Sequence, residues 1–189
     1  MIDNGLSTFI VAAANEAGAT RVTPIDPTGI RYYTEVRHLC ERNACGAFGK
    51  NWQCPPHVGS VAETSARAKR YACGVVVQSV GVLEDSYDIE GMGREQKQHQ
   101  DRLRAVGKRL RVEHPDVPFL LLGAGPCDVC SRCTVLDGEP CRFPDRIMPS
   151  MESFGMNVKE VVESVGLPYI SGKNTVTYSG LILYGNAAE

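Results

Sequence analysis

The sequence has neither a long hydrophobic run nor an excess of charge of one sign. Its longest apolar stretches, Phe119 to Leu122 and Leu181 to Tyr184, have the length of a strand, whereas a membrane helix needs roughly 20 apolar residues. The 20 basic and 22 acidic side chains leave a formal net charge of -2. These features argue against a membrane protein and against a nucleic-acid-binding protein that works through bulk positive charge.

The N-terminus lacks the basic segment followed by an apolar segment that is typical of a secretory signal peptide. The sequence also contains no internal repeat, no low-complexity tract and no long linker. A length of 189 residues suits one domain that buries its own hydrophobic core. We therefore predict a soluble, cytoplasmic protein in which residues 1–189 form a single domain.

Seven of the eight cysteines fall in two short groups, and only Cys73 stands apart. A chain of this length does not need disulfides for stability, and a reducing cytoplasm does not sustain them. Clustered cysteines in such a compartment more often bind metals or carry out redox chemistry. The sequence therefore predicts two metal-binding loops.

Helical patterns alternate with apolar, strand-like segments along the chain, which predicts an α/β layered sheet that is largely parallel. An α+β arrangement is the alternative. Both cysteine loops follow predicted strands, and the carboxyl ends of parallel strands share one rim of a sheet. We therefore expect the two loops at one rim. The predicted helices cover residues 7–17, 60–71, 94–113 and 151–165, and the predicted strands cover 20–25, 30–39, 74–83, 117–123 and 175–184.

The second group of cysteines has the spacing C-x2-C-x2-C-x7-C, and Pro144 follows the last of them. Structural zinc usually takes two separated C-x2-C pairs. Three consecutive cysteines at x2 spacing instead wrap one loop around a larger group, as in the ligation of cubane iron–sulfur clusters. The pattern favours a [4Fe–4S] cluster, with zinc as the competing metal. The predicted ligands are Cys127, Cys130, Cys133 and Cys141.

The first group has the spacing C-x4-C-x8-C, and two prolines follow it. Its predicted ligands, Cys40, Cys45 and Cys54, are one short of a fully ligated cubane. The fourth ligand is Cys73, His57 or Cys141, or no protein group at all. An iron without a fourth protein ligand would bind substrate or act as a Lewis acid.

Two kinds of neighbouring residue also bear on this first site. Trp52, the only tryptophan, either shields a cluster from water or packs in the core. Among the histidines, His38 is a candidate for proton transfer near Cys40, whereas His99 and His114 are expected at the surface.

With both groups in view, the chain resembles a family of small prokaryotic proteins described as predicted metal-binding proteins of unknown function. The resemblance implies iron–sulfur or other metal binding in a cytoplasmic protein, and it supplies no reaction. Cys73 is not part of the shared motif. The residues that carry the resemblance are Cys40, Cys45, the stretch from Trp52 to Pro56, Cys127, Cys130, Cys133, Cys141, Pro144 and the stretch from Pro149 to Gly155.

The sequence thus predicts a protein with two iron–sulfur clusters, both most simply [4Fe–4S], that transfers electrons or activates a partner. Its partner would be a redox protein or a small-molecule substrate, and neither a nucleic acid nor a membrane. One alternative is an enzyme that binds substrate at the open iron of the three-cysteine cluster. The other is a protein in which zinc is purely structural.

Overall fold

The computed structural model describes residues 4–186, so the prediction about a signal peptide at Met1 to Asp3 falls outside the described residues. Four strands form one sheet, and five helices accompany it within this range. The helices are α1 (Asn4–Glu16), α2 (Thr34–Glu41), α3 (Val61–Ala68), α4 (Ile89–Glu113) and α5 (Val158–Ser164), and the strands are β1 (Arg21–Ile25), β2 (Tyr71–Val82), β3 (Phe119–Leu122) and β4 (Thr175–Asn186).

The sheet has the strand order β1-β2-β4-β3, and every neighbouring pair is antiparallel. The prediction of a largely parallel sheet is therefore wrong. The strand–helix–strand unit of β2, α4 and β3 does return the chain in the same direction, since both strands are antiparallel to β4. However, β4 inserts between them and pairs with each, which gives a split β-α-β arrangement. Alternation along the chain does not reveal such an insertion.

The core consists of two apolar clusters, one on each face of the sheet. Successive side chains of a strand point to opposite faces, so Val75 and Val77 join one cluster and Val76 joins the other. Helices α1 and α4 cover the first face through residues such as Ile10 and Leu103. The second face is covered by α5, the end of α3 and the segment around Phe154.

Two predicted elements have a different conformation in the structure. The predicted strand 30–39 ends in α2, because tertiary contacts outweigh the strand propensity of its aromatic and β-branched residues. The predicted helix 151–165 divides into a 3₁₀ turn (Glu152–Phe154) and α5. The break comes at Gly155, whose φ of 81° is left-handed, and Asn157 caps the following helix with its side-chain oxygen.

In the part of the chain that the structure describes, no helix is both long enough and apolar enough to cross a membrane.

Candidate metal centre

The first cysteine loop runs from the last turn of α2 to the start of α3, not from the end of a strand. Cys40 lies on α2 itself, and Cys45 and Cys54 lie in the turns that follow. Asn43 organises these turns, because its backbone N–H donates to the carbonyl of Cys40 at 3.0 Å and its side-chain oxygen accepts from the N–H of Phe48 at 3.0 Å. The loop thus holds its three thiols on a hydrogen-bonded frame.

Arg37 fixes the helix that carries Cys40. Its side chain is 6% exposed, and its guanidinium donates to the carbonyls of Ser153 and Gly59. Ser153 belongs to the 3₁₀ turn after the second cysteine loop, and Gly59 comes just before α3. One buried arginine therefore ties α2 to both segments that flank it.

The second cysteine loop follows β3 and is held by α4 from the side. Gln100 donates its amide to the carbonyl of Pro126 at 3.2 Å, and Arg104 forms an ion pair with Asp128. Gly125 has a φ of +82°, and a Cβ there would lie 2.2 Å from the amide nitrogen of Gln96. The positive φ favours glycine at this position, and a side chain there would also have to displace the Gln96 amide.

The two cysteine loops lie against each other. The indole N–H of Trp52 donates to the carbonyl of Glu139 at 3.2 Å, so Trp52 joins the loops and is not a core residue. Its neighbour Gln53 accepts at Oε1 from the N–H of Met148 at 3.1 Å. The juxtaposition comes from these contacts and not from a shared rim of parallel strands.

A cavity of about 330 Å³ lies between the loops. All four cysteines of the second group line it, together with Cys45 of the first group. Cys40 and Cys54 are not among the lining residues. Cys54 directly follows Gln53, which lines the cavity, and it lies close enough to Cys45 and Cys40 for their thiolate charges to affect its pKa. The structure therefore brings all seven clustered cysteines into one region, and all eight cysteines are free thiols.

Burial sets the protonation of several of these thiols. It raises the pKa of Cys54 to about 11, and the negative charges of Cys45, Cys40 and Cys127 add to the effect. Burial also raises the pKa of Cys127. For Cys40, burial and then the nearby carboxylate of Glu152 raise the pKa. Without a cation these thiols are held in the protonated form, and metal binding would have to displace their protons.

Two polar residues near the cysteines, Gln53 and Glu152, lie in the stretches that carry the family resemblance, but the sequence analysis gave neither of them a role. Gln53 is 1% exposed and lines the cavity, and its Nε2 has no hydrogen-bond partner within residues 4–186. Glu152 lies on the turn that packs against α2, and burial raises the pKa of its carboxyl group. A buried donor without a partner costs about 1–3 kcal/mol, and a group rich in thiolate or sulfide would accept from Gln53.

The three candidates for a fourth ligand to the first group have different surroundings in the structure. Cys73 lies in β2 opposite Tyr184 and packs in the apolar cluster under α1, away from the cysteine loops. His57 is engaged within its own loop, where Nε2 contacts the carbonyl of Gly49 at 3.3 Å. Cys141 lines the cavity with its own group. Across residues 4–186, no three Cys, His, Asp or Glu side chains converge closely enough to hold a single metal ion.

The remaining histidines are not part of the centre. His38 is exposed, and its Nε2 lies 3.9 Å from the carboxylate of Glu41. His114 packs edge-on against Phe9. His99 is fully buried, with Nδ1 at 2.9 Å from the hydroxyl of Ser79, so the prediction that it lies at the surface is wrong.

Comparison with known proteins identifies one family. Residues 23–184 match the sequence model of a family described as predicted metal-binding protein. The matched range contains both cysteine loops and all four strands except the first two residues of β1 and the last two residues of β4. No curated protein and no solved structure matches the chain.

Proposed function

The chain belongs to this predicted metal-binding family, and on that premise we propose that it is an iron–sulfur protein with two clusters. The observation that carries the proposal is that seven free thiols from two loops line or adjoin one cavity. Cys127, Cys130, Cys133 and Cys141 would hold one [4Fe–4S] cluster, and Cys40, Cys45 and Cys54 would hold the other.

The spacing of the second group supports iron–sulfur over zinc at that site. In a zinc site, four sulfurs lie about 2.3 Å from one ion and so converge tightly. In a cubane each cysteine binds a different iron, so the sulfurs stand farther apart around a larger object. The four cysteines of the second group line one cavity of about 330 Å³, which has room for a group larger than a single ion.

The two sites would differ in role. Four cysteines complete the ligand set of one cluster, and a cluster of that kind supplies one-electron transfer when bound. Three cysteines leave one corner without a protein ligand, since Cys73 and His57 are engaged elsewhere. That corner is the place for a small substrate, and a redox partner would exchange electrons through the four-cysteine site. Free, partly exposed thiols of this kind also suit a reducing, cytoplasmic location.

Side chains around the proposed clusters position the cysteine ligands and enclose the bound groups. Arg37 positions the helix of Cys40, and Trp52 closes the contact between the loops. Gln53 would donate its free N–H to a sulfur of the bound group, and hydrogen bonds to sulfur tune the reduction potential.

Anaerobic purification followed by metal and sulfide analysis tests the proposal. We expect a brown protein with broad absorption near about 400 nm and roughly eight irons with matching sulfide per chain. Purification with one equivalent or more of zinc, no sulfide and no colour would replace it with the structural zinc alternative.

A further inference from the structure

We infer that the mouth of the cavity between the cysteine loops binds a small organic anion, which rests on the proposed function because that anion would be the substrate. Four of the lining side chains are cationic: Lys50, Arg132, Arg142 and Arg146. No aspartate or glutamate is found among the described residues that line the cavity. The chain as a whole carries slightly more acidic than basic groups, so this local excess is not a reflection of composition.

Three of the four cations have no ion pair in the described chain, although the carboxylate of Asp137 also acts on Arg142. Arg132 forms an ion pair with Asp137, which lies outside the lining, and Arg142 donates to the carbonyl of Arg132 at 3.1 Å. Lys50 and Arg146 form no ion pair with any residue in the range 4–186. An incoming anion would therefore meet unpaired cations and would not have to displace internal carboxylates.

The floor of the cavity is buried, whereas its mouth is exposed to solvent. Ala47, Asn51 and Gln53 are buried and form the floor, whereas the four cysteines of the second group are half-buried. The four cationic side chains are exposed. A cofactor held by the thiols would thus lie deeper than the cations, and an anion drawn to them would lie between solvent and cofactor.

The same mouth carries apolar surface. Leu136 is 49% exposed and Phe143 is 44% exposed, and both line the cavity. The guanidinium of Arg146 stands 5.8 Å from the centre of the Phe143 ring. Cationic and apolar groups side by side favour an organic anion over an inorganic one, with a carboxylate or phosphate facing the arginines.

The size of the cavity selects a small molecule. The volume of about 330 Å³ is already at the lower end of ligand pockets, which run from about 300 to 1,000 Å³, and a cluster held by the thiols would occupy part of it. An acidic protein that docked on the cations would cover the mouth without entering it. The small-molecule and protein alternatives therefore differ in what the isolated, metal-loaded protein can bind.

The test uses the metal-loaded protein as purified and isothermal titration calorimetry with three probes: benzoate, neutral benzamide and inorganic phosphate. We expect benzoate to bind, phosphate to bind more weakly and benzamide not to bind. The double variant Lys50→Gln/Arg146→Gln should weaken benzoate at least tenfold. The control Lys173→Gln/Arg31→Gln removes two exposed cations away from the cavity and should leave benzoate binding unchanged.

Metal content, measured on every sample, separates the two proposals. If the wild type lacks iron and sulfide but benzoate still binds as described, the proposed function fails and the anion site stands. If the clusters are present and benzoate does not bind, or binds both double variants equally, the anion site is overturned. It is also overturned if only an acidic polypeptide such as polyglutamate binds, or if the double variant loses metal without changing benzoate affinity.

Discussion

Two buried glutamines, one in the sheet and one between the cysteine loops, meet opposite surroundings. Gln78 of β2 is 0% exposed, and its amide nitrogen donates to the carbonyl of Pro168 at 3.0 Å and to the hydroxyl of Ser179 at 3.1 Å. Gln53 is 1% exposed, and its oxygen is used by Met148 while its nitrogen has no partner in the described chain. The sheet satisfies this polar group itself, whereas the cysteine region leaves a donor facing a cavity.

The cysteines repeat the contrast. Cys73 packs in the sheet among aliphatic residues and behaves as a small apolar side chain. Cys54 is placed among other thiols by a loop with little regular structure. The sheet thus satisfies its glutamine and packs its cysteine with its own residues, whereas the cysteine loops have the features of a frame for a bound group. The predictions below test this difference, beginning with the largest expected effect.

Removing one thiol of the cysteine loops should cause the loss of one bound cluster, whereas removing Cys73 from the sheet should cause no loss. We expect Cys45→Ser to lose about half of the bound metal, because only two cysteines of the first group would then remain, one fewer than the three that hold its cluster. Cys73→Ala is the matched control and should keep the wild-type metal content. Equal metal loss in both variants, measured by elemental analysis of anaerobic protein, would erase the distinction between the regions.

Crowding the sheet should lower stability without touching the metal. A Cβ at Gly180 of β4 would lie 2.5 Å from the side chain of Leu103 and 2.9 Å from the carbonyl oxygen of Leu122. Gly180→Ala should therefore reduce the free energy of unfolding by about 1–3 kcal/mol in denaturant titrations, with metal content retained. Gly93→Ala, in open space on α4, is the control and should not destabilise the protein.

The buried histidine of the sheet region should make stability depend on pH. Burial lowers the pKa of His99 from 6.5 to about 3 in the folded chain. Below pH 6.5 the unfolded chain gains a proton that the folded chain refuses, so stability is complete above pH 6.5 and falls as the pH drops towards 3. At pH about 5 the loss should reach about 2 kcal/mol relative to neutral pH.

Unfolding of wild type and His99→Gln between neutral and acid pH measures this contribution. The variant should be less stable at neutral pH, because its fit to Ser79 is altered, yet its stability should fall less on acidification. The control variant His38→Gln removes an exposed histidine and should keep the wild-type dependence of stability on pH. If His99→Gln loses as much stability on acidification as the wild type does, groups other than His99 control the acid stability.

The smallest effect concerns the two glutamines themselves. Gln53→Leu removes the donor at the cavity and should make the cluster potential more negative by about 40 mV, the equivalent of about 1 kcal/mol for one electron. Gln53→Glu keeps the acceptor for Met148 and also lacks the amide donor, so its potential should move in the same direction. Gln78→Leu should lower stability and leave the potential as it was.

Sequence periodicity located most helices and strands, and the cysteine spacing selected the loops that the structure brings together. Sequence periodicity gave a wrong prediction at residues 30–39, because the buried contacts of Arg37 with Ser153 and Gly59 depend on segments far along the chain. It also failed for His99, whose polar ring is buried because the sheet provides Ser79 as a partner. The role of Gln53 was missed although the residue lies in the stretch from Trp52 to Pro56, since no local pattern marks a buried amide.

The amino-acid sequence alone determined the chemistry of the chain: free thiols at spacings that metals use, and apolar segments able to form a sheet and its covering helices. The tertiary structure decided how these parts meet. The last strand, β4, pairs with both β2 and β3, and this non-local pairing makes the sheet antiparallel. Trp52 joins the two cysteine loops, and Gln53 and Arg37 tie the first loop and α2 to the chain that follows the second loop. Such hydrogen bonds between distant segments depend on geometry that no local sequence pattern encodes.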